Sequence, residues 1–323
     1  MNFRNIIFVL VIVVFVLQLL VMKEDSQIQT PSKKPLIALS TFSLYDITKH
    51  IAEDTMDVFM ILPFGVDAHS FEPTPKLMTN IYKSDLVVYS GAGLEPWIDG
   101  FEFKNSVIDM SRHVKLMKID SQEEHEQHHH HEHEEQHHHH EHEHHAHNGI
   151  DPHYWLDINN MAIATKLITK KLIEISPDNK SFYEKNRDSY LKMLSLLDAE
   201  YKKRLLTCEK DTIVVNHNAF SYLSNSYGFK VESLSGFSPE AEPSAKNMVK
   251  LIEHVKEDNI STLFYESFVS DRAIKSIANE AHVKVDVLQP LGNITADEAA
   301  KKLSYEDIMR VNLEKISKAL ECR

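Results

Sequence analysis

DNKSFYEKNRDSYLKMLSLLDAEYKKRLLT, residues 178–207, is the stretch that decides the fold, because it predicts one very long helix. It contains neither Gly nor Pro, and apolar residues recur at helical spacing from Phe182 to Leu205. A helix of about thirty residues would be roughly 45 Å long. That length suits a strut between two lobes better than a cover for one small sheet, so the sequence predicts two lobes.

Short apolar runs typical of buried strands lie on both sides of this helix, with helical patterns between them. The runs occupy residues 36–40, 58–62, 86–90, 106–110, 212–216, 262–266 and 283–288. Such alternation is typical of parallel sheets built from βα units. We therefore predict an α/β fold of two similar lobes with parallel sheets, joined by a long rigid interlobe helix.

The predicted organisation has four parts, and the first lobe contains an insertion. The parts are a signal peptide or signal anchor with a linker at 1–34, an N-terminal α/β lobe at 35–158 with a disordered insertion at 121–148, a helical region at 159–207 and a C-terminal α/β lobe at 208–323.

The amino terminus predicts export. Arg4 precedes an uncharged apolar run at residues 6–22, as in a signal sequence. A cleaved peptide and an uncleaved anchor both fit, since the run is short for a membrane span and no small-residue cleavage motif follows. We expect the fold in the periplasm or on the outer face of the cytoplasmic membrane, where a retained segment would contact the membrane. In that oxidising compartment Cys208 and Cys322 either pair or remain two separate thiols.

Charge and glycine usage exclude two classes of function. The chain has 35 Lys and Arg against 48 Asp and Glu, a net charge of −13, which argues against nucleic acid as a partner. Gly91 and Gly93 are followed by Pro96, where a dinucleotide-binding fingerprint needs its third glycine. No phosphate-binding loop is expected.

Histidine is concentrated in the insertion. Residues 121–148 hold fourteen of the 21 histidines, with eight Glu and no Lys or Arg. This composition prevents core formation, but it offers a dense set of ligands for divalent metals. We favour a low-affinity zinc collector beside a cleft over an inert linker. The accessory ligands predicted there are His128, His129, His130, His131, His137, His138, His139 and His140.

Three of the other histidines stand out by their context. His69 follows the run at 58–62, His153 lies in DPHYWLD, and His217 follows the run at 212–216. Because ligands gather beyond the carboxyl ends of parallel strands, two facing lobes would bring these loops into one cleft. Imidazole nitrogens suit zinc. The long sequence separations leave a purely structural role for each histidine open.

Several ordered motifs extend over the chain from about Pro35. They are GVDAHSFEP around His69, GAGLEPW at 91–97, DPHYWLD at 151–157, NHNAFSYL at 216–223, SPEAEPSAK at 238–246 and LQPLG at 288–292. In these motifs the chain resembles the zinc-binding solute receptors of bacterial ABC importers (ZnuA type), a cluster that also contains manganese receptors.

The resemblance implies that Zn²⁺ is held in the cleft between the lobes by His69, His153 and His217. Manganese receptors use a carboxylate at the position of His217, and three imidazoles favour zinc. It further implies a monomer that catalyses no reaction and delivers zinc to a membrane ABC permease with a cytoplasmic ATPase.

The fourth ligand departs from part of the family. Relatives place Asp or Glu in the loop matching LQPLG, whereas this chain offers Gln289 and Gly292. Water is our first choice, and Glu266 is an alternative that fits better as a buried acid beside the site. Candidates to orient the imidazoles are Asp67, Glu72, Asp151 and Asp157.

Two other functions fit part of this pattern. A zinc hydrolase also uses three histidines and water, but no H-E-x-x-H motif is present, and Glu72 or Glu266 would have to act as the base. A surface adhesin or metal buffer would instead keep zinc as a structural element. Exchangeable metal distinguishes a receptor from a protein with structural zinc.

Overall fold

The computed structural model describes most of the chain after the amino-terminal segment. The described residues are 34–104, 106–118, 149–235, 245–267 and 270–323. The predicted signal or anchor segment and the histidine-rich insertion at 121–148 lie outside them. In the described ranges, no helix combines the length and apolar character that a membrane span requires.

The first lobe contains a sheet of four parallel strands. Its strands are β1 (Leu36–Leu39), β2 (Asp57–Met60), β3 (Leu86–Tyr89) and β4 (Ser106–Asp109), in the order β2-β1-β3-β4. A short antiparallel pair, β5 (Met117–Lys118) and β6 (Ile150–Asp151), joins the two sides of the insertion. This pair holds the chain in place immediately before His153.

The second lobe repeats the topology of the first. Its parallel strands are β7 (Thr212–Val215), β8 (Lys230–Ser233), β9 (Thr262–Tyr265) and β10 (Lys284–Val287), in the order β10-β9-β7-β8. Counted within each lobe, both sheets have the order 2-1-3-4. The predicted α/β fold with two similar parallel sheets is therefore confirmed, and β8 is a strand that the sequence patterns did not reveal.

Nine helices of the described residues surround the sheets. They are α1 (Phe42–Ala52), α2 (Pro75–Lys83), α3 (Ile158–Ile175), α4 (Lys180–Arg204), α5 (Ser221–Tyr227), α6 (Ala245–Glu257), α7 (Arg272–Ala281), α8 (Ala296–Ala300) and α9 (Tyr305–Ala319).

The long helix α4 links the two halves of the molecule. Its 25 residues correspond to a length of about 38 Å. One face is buried, and the helix packs against α1 and α3 of the first half and against α9 at the end of the chain. The buried residues of that face are Tyr183, Tyr190, Leu194, Leu197 and Tyr201.

The helix is shorter at both ends than the predicted span 178–207. At its start, Pro177–Asn179 forms a separate 3-10 turn. At its end, the Thr207 carbonyl accepts a hydrogen bond from the Arg323 backbone N–H at 3.0 Å, and Cys208 forms a disulfide with Cys322. Residues 207 and 208 thus pair with the C-terminus instead of continuing the helix. Of the two possibilities for Cys208 and Cys322, the structure shows the disulfide.

Most of the buried apolar side chains form one continuous core. This core includes β1 and β3 of the first sheet, the buried face of α4, and residues such as Ile213 and Phe264 of the second sheet. A smaller core lies between the second sheet and helices α6 and α7. The shared core places the carboxyl ends of both sheets at a common cleft.

Candidate metal centre

His69 lies in the long loop between β2 and α2. Its backbone N–H donates to Asp67 Oδ1 at 2.7 Å. The start of the loop is fastened to the second lobe, because the Asn293 side-chain amide donates to the carbonyls of Pro63 and Val66, both at 2.7 Å. These bonds position His69 from both lobes.

His153 is the cap of the 3-10 turn Tyr154–Leu156, which follows β6. Asp151 Oδ1 accepts from the His153 backbone N–H at 2.9 Å and from its Nδ1 at 2.8 Å. Both side chains are buried. The hydrogen bond assigns the ring proton to Nδ1, so Nε2 carries the lone pair that a metal needs.

His217 follows β7. β7 and β9 are neighbours in the second sheet, and the order of the strands along the chain reverses between them. Glu266, directly after β9, accepts from His217 Nδ1 at 2.5 Å. Each side chain is about 2% exposed. This crevice between neighbouring carboxyl ends is where open α/β sheets bind ligands, and the bond again leaves Nε2 to face the cleft.

The three imidazoles converge on one point. His69 Nε2 and His153 Nε2 are 3.4 Å apart, and one potential ligand atom of each histidine lies within 4.8 Å of those of the other two. Zinc held tetrahedrally by nitrogens at about 2.0–2.1 Å would separate them by about 3.4 Å. The cluster therefore needs only small side-chain shifts to match a zinc site.

Buried acids surround the imidazole cluster. Asp151 and Glu266 touch the ring nitrogens that face away from the cleft. Burial, followed by the negative charge of Glu266, raises the pKa of Asp67 to about 6. An added dication would be compensated by these carboxylates.

A small cavity adjoins the three histidines. Its other lining residues are Asp67, Ala68, Leu94, Trp155, Glu266, Pro290, Gly292 and Asn293. The Trp155 ring forms part of the cavity wall. Leu94, Pro290 and Asn293 were not proposed from the sequence, because nothing but the tertiary fold brings them here.

The LQPLG loop supplies no acid to this cavity. Gln289 Nε2 donates to both oxygens of Glu298, at 2.7 and 2.9 Å, and Gln289 is not among the lining residues. Gly292 is, and a Cβ built there would lie 3.2 Å from the Trp155 ring. Glu266 lines the cavity, although one of its oxygens is already bonded to His217.

The other acids proposed from the sequence divide into two groups. Asp151 orients His153 through its ring, and Asp67 holds the backbone of His69. Glu72 is exposed, and Asp157 caps α3 by accepting from the Asn159 N–H at 2.8 Å.

The eight accessory histidines between His128 and His140 lie outside the described residues.

Comparison with known proteins finds components of metal-uptake systems. Residues 37–319 match the family model described as "Zinc-uptake complex component A periplasmic". The chain is 35% identical over 289 residues to the high-affinity zinc uptake system protein ZnuA of Bacillus subtilis, covering 88% of this chain and 87% of that protein. It is 29% identical to a manganese ABC transporter substrate-binding lipoprotein, PsaA of Streptococcus anginosus, over 96% of this chain and 97% of that one.

A solved structure agrees with these relatives. The crystal structure of Zn(II)-bound AdcA from Streptococcus pneumoniae superposes with a TM-score of 0.72 and 28% sequence identity. The match covers 89% of this chain and 58% of that one. The architecture described above is therefore shared with a protein solved in a zinc-bound state.

Proposed function

This chain belongs to the family of periplasmic A components of zinc-uptake complexes, and on that premise we propose that His69, His153 and His217 bind the zinc ion that it captures. It is a zinc-binding receptor of a metal uptake system, and its ligand is Zn²⁺. The family is one of substrate-binding receptors, and the chain itself catalyses no reaction.

One observation carries the assignment of the ligands. Three histidines from distant parts of the sequence bring one nitrogen each to within 4.8 Å of one another. In two of them a buried carboxylate holds the opposite ring nitrogen, as is usual for histidines that bind metal. An all-nitrogen set favours zinc over manganese, which prefers oxygen ligands.

Water completes the coordination in our proposal. Gly292 of the LQPLG loop lines the cavity beside the histidines together with the Trp155 ring, so this loop brings no carboxylate to the open position. Glu266 acts as the acid that orients His217. A fourth ligand that exchanges readily suits a receptor that must release its ion.

The proposed zinc ligands come from both lobes, so binding and release of the ion involve movement of loops on both sides of the cleft. His69 and His153 come from the first lobe and His217 from the second. Because α4 packs against helices of both halves, we expect loop shifts around the ion rather than wide opening. The receptor acts as a monomer at the outer face of the cytoplasmic membrane or in the periplasm, where it delivers zinc to an ABC permease with a cytoplasmic ATPase.

The hydrolase alternative gains no support from the site. A hydrolase would need a free base at the zinc, but Glu72 is exposed and Glu266 is bonded to His217. The relatives are uptake receptors rather than enzymes. A surface adhesin or metal buffer with structural zinc predicts metal that does not exchange, which the following experiment measures.

Zinc stoichiometry and affinity test the proposal, by competition with a chromophoric chelator. The full chain is compared with a variant that lacks residues 121–148. One tight, exchangeable equivalent in both proteins, lost in His153→Ala, is the expected result. Absence of a tight site in the shortened variant would contradict the three-histidine assignment and favour a histidine-rich metal buffer, and a tight equivalent that never exchanges would favour structural zinc.

A further inference from the structure

Asp46 on α1 is not part of the three-histidine cluster, yet its carboxylate joins three helices. The residue is 5% exposed. Its Oδ2 accepts from the Tyr190 hydroxyl of α4 at 2.7 Å, and its Oδ1 accepts from the backbone N–H of Tyr305, the first residue of α9, at 3.1 Å. One carboxylate thus fixes α1, α4 and α9 relative to one another.

The charge of this carboxylate is balanced locally. His50 Nδ1 lies 3.3 Å from Asp46 Oδ2. Hydrogen bonding to Asp46 raises the pKa of His50 to about 9, so the imidazolium is present at neutral pH. His50 Nδ1 also lies 2.8 Å from the Asp46 backbone carbonyl, so this imidazole contacts both the backbone and the side chain of Asp46.

Tyr305 links Asp46 to the turn that follows His153. Its hydroxyl donates to the carbonyl of Trp155 at 2.8 Å. Trp155 lies in the turn Tyr154–Leu156, which is closed by a hydrogen bond from the Leu156 N–H to the His153 carbonyl. Tyr305 is completely buried and held at both ends, by Asp46 at its backbone and by Trp155 at its hydroxyl.

Trp155 connects the same turn to the second lobe. Its Nε1 donates to the Pro290 carbonyl at 2.6 Å, and its ring centroid lies 5.5 Å from that of His153. The ring also forms the cavity wall beside Gly292. A shift of Trp155 would therefore move both the imidazole and the wall of the candidate metal centre.

We propose that Asp46 is a positioning residue for zinc binding, which acts by fixing Tyr305 and, through it, the turn that carries His153. This inference rests on the proposed function of the three histidines. The proposal predicts that weakening either link lets His153 move away from the other two imidazoles. Zinc then dissociates faster.

The chain offers a closely matched control. Tyr201 and Tyr305 are both completely buried, and each hydroxyl donates to a backbone carbonyl, Tyr201 to Met309 at 2.6 Å and Tyr305 to Trp155 at 2.8 Å. Changing either tyrosine to Phe removes one buried hydrogen bond and only the small volume of the hydroxyl. Of these two bonds, the one from Tyr305 reaches the turn at His153.

The experiment loads the full chain and its variants Asp46→Asn, Tyr305→Phe and Tyr201→Phe with one equivalent of Zn²⁺. Zinc release into excess chelator is followed by stopped flow, and thermal unfolding of the zinc-free proteins is measured by circular dichroism. We expect about tenfold faster release from Asp46→Asn and Tyr305→Phe, at the low end of the effects of residues that support metal ligands. Tyr201→Phe should release zinc at the unaltered rate despite a similar loss of stability.

Equal release rates from Tyr305→Phe and Tyr201→Phe would overturn the inference, and Tyr305→Phe decides the matter if Asp46→Asn does not fold. Faster release from all three variants, in proportion to their loss of stability, would also overturn it. Failure of the unaltered protein to hold zinc would instead remove the proposed function on which the inference rests.

Discussion

His69 Nε2 and His153 Nε2 lie 3.4 Å apart although 84 residues separate them in the chain. Two imidazole nitrogens that both present lone pairs have no direct attraction that would bring them together. Their closeness is imposed by the hydrogen bonds that fix each loop, from Asp67 to the backbone of His69 and from Asp151 to the ring of His153. The folded protein therefore presents ligand atoms near zinc spacing.

Removing His217 should abolish tight zinc binding and leave the fold intact. We expect His217→Ala to weaken zinc binding by more than about 100-fold, because residues that only orient a ligand already cost about 10–100-fold. Isothermal titration with Zn²⁺ measures the effect. The control is His254→Ala, an exposed histidine on α6, which should bind like the unaltered protein. Equal affinities of the two variants would contradict the assignment of His217.

Glu266 should contribute to zinc affinity without being a ligand. Glu266→Gln keeps the shape of the side chain but removes the charge that His217 Nδ1 faces at 2.5 Å. We expect about a tenfold loss of affinity with one zinc still bound. Glu72→Gln is the control, since Glu72 is close to His69 in sequence but exposed. Loss of the zinc equivalent itself would show that Glu266 coordinates the ion.

A carboxylate placed at position 292 should shift the metal preference towards manganese. The expected effect of Gly292→Glu is tighter Mn²⁺ binding relative to Zn²⁺, because an anionic oxygen ligand suits the harder ion. The new Cβ would lie 3.2 Å from the Trp155 ring, so the indole must shift by a few tenths of an ångström. Competition titrations with both metals measure the ratio, and an unchanged ratio would show that the new carboxylate does not reach the ion.

The insertion at 121–148 should bind zinc weakly and lose it in acid. Because histidine has an unperturbed pKa near 6.5, we expect its zinc content to fall between about pH 7.5 and pH 5.5. Equilibrium dialysis and metal analysis of the full chain, with the deletion variant as the control, give the difference due to the insertion. A difference that stays constant over this range would contradict the prediction.

Glu95 should make the zinc-free protein less stable as the pH rises. Burial raises the pKa of this carboxyl to about 7, against the opposing hydrogen bonds from Ser40 and from the N–H groups of Ser90 and Gly91. The folded state then holds a proton that the unfolded state releases above about pH 4.5. The contribution of Glu95 to stability is largest below that value and is lost as the pH rises through about 7, by about 3 kcal/mol in total.

Chemical denaturation at several pH values between 4.5 and 8 measures this decline. Glu95→Gln should show a shallower dependence, because it cannot ionise. The comparison also removes the contribution of His50, whose raised pKa acts in both proteins. Parallel curves for the two proteins would show that Glu95 is not the responsible group.

The architecture was largely predictable because strand and helix periodicities are local. Seven of the eight strands in the two parallel sheets were anticipated, and β8 was missed because its KVES sequence carries only one apolar residue. The ends of α4 were misplaced for a different reason. The chain leaves the helix to meet Arg323 and Cys322, and such distant partners have no signature near residue 205.

The candidate site was predictable in its residues but not in its geometry. His69, His153 and His217 were marked by their positions after strands and by family motifs, and each lies in the cleft. Of the acids proposed to support them, the sequence did not distinguish Asp151 from Asp157. Both lie close to His153 in the chain, but one bonds its ring and the other caps a helix.

The sequence by itself determined the two-lobe α/β plan and the separate histidine-rich segment, because composition and periodicity are properties of neighbouring residues, and its family motifs marked His69, His153 and His217 as the candidate ligands. Tertiary structure alone decided that Glu266 holds His217, that Asn293 ties the loop of His69, and that Asp46 reaches the turn of His153 through Tyr305. The physical reason is that a hydrogen bond depends on distance and angle in space, and residues far apart in the chain acquire these only when the core between the lobes is packed.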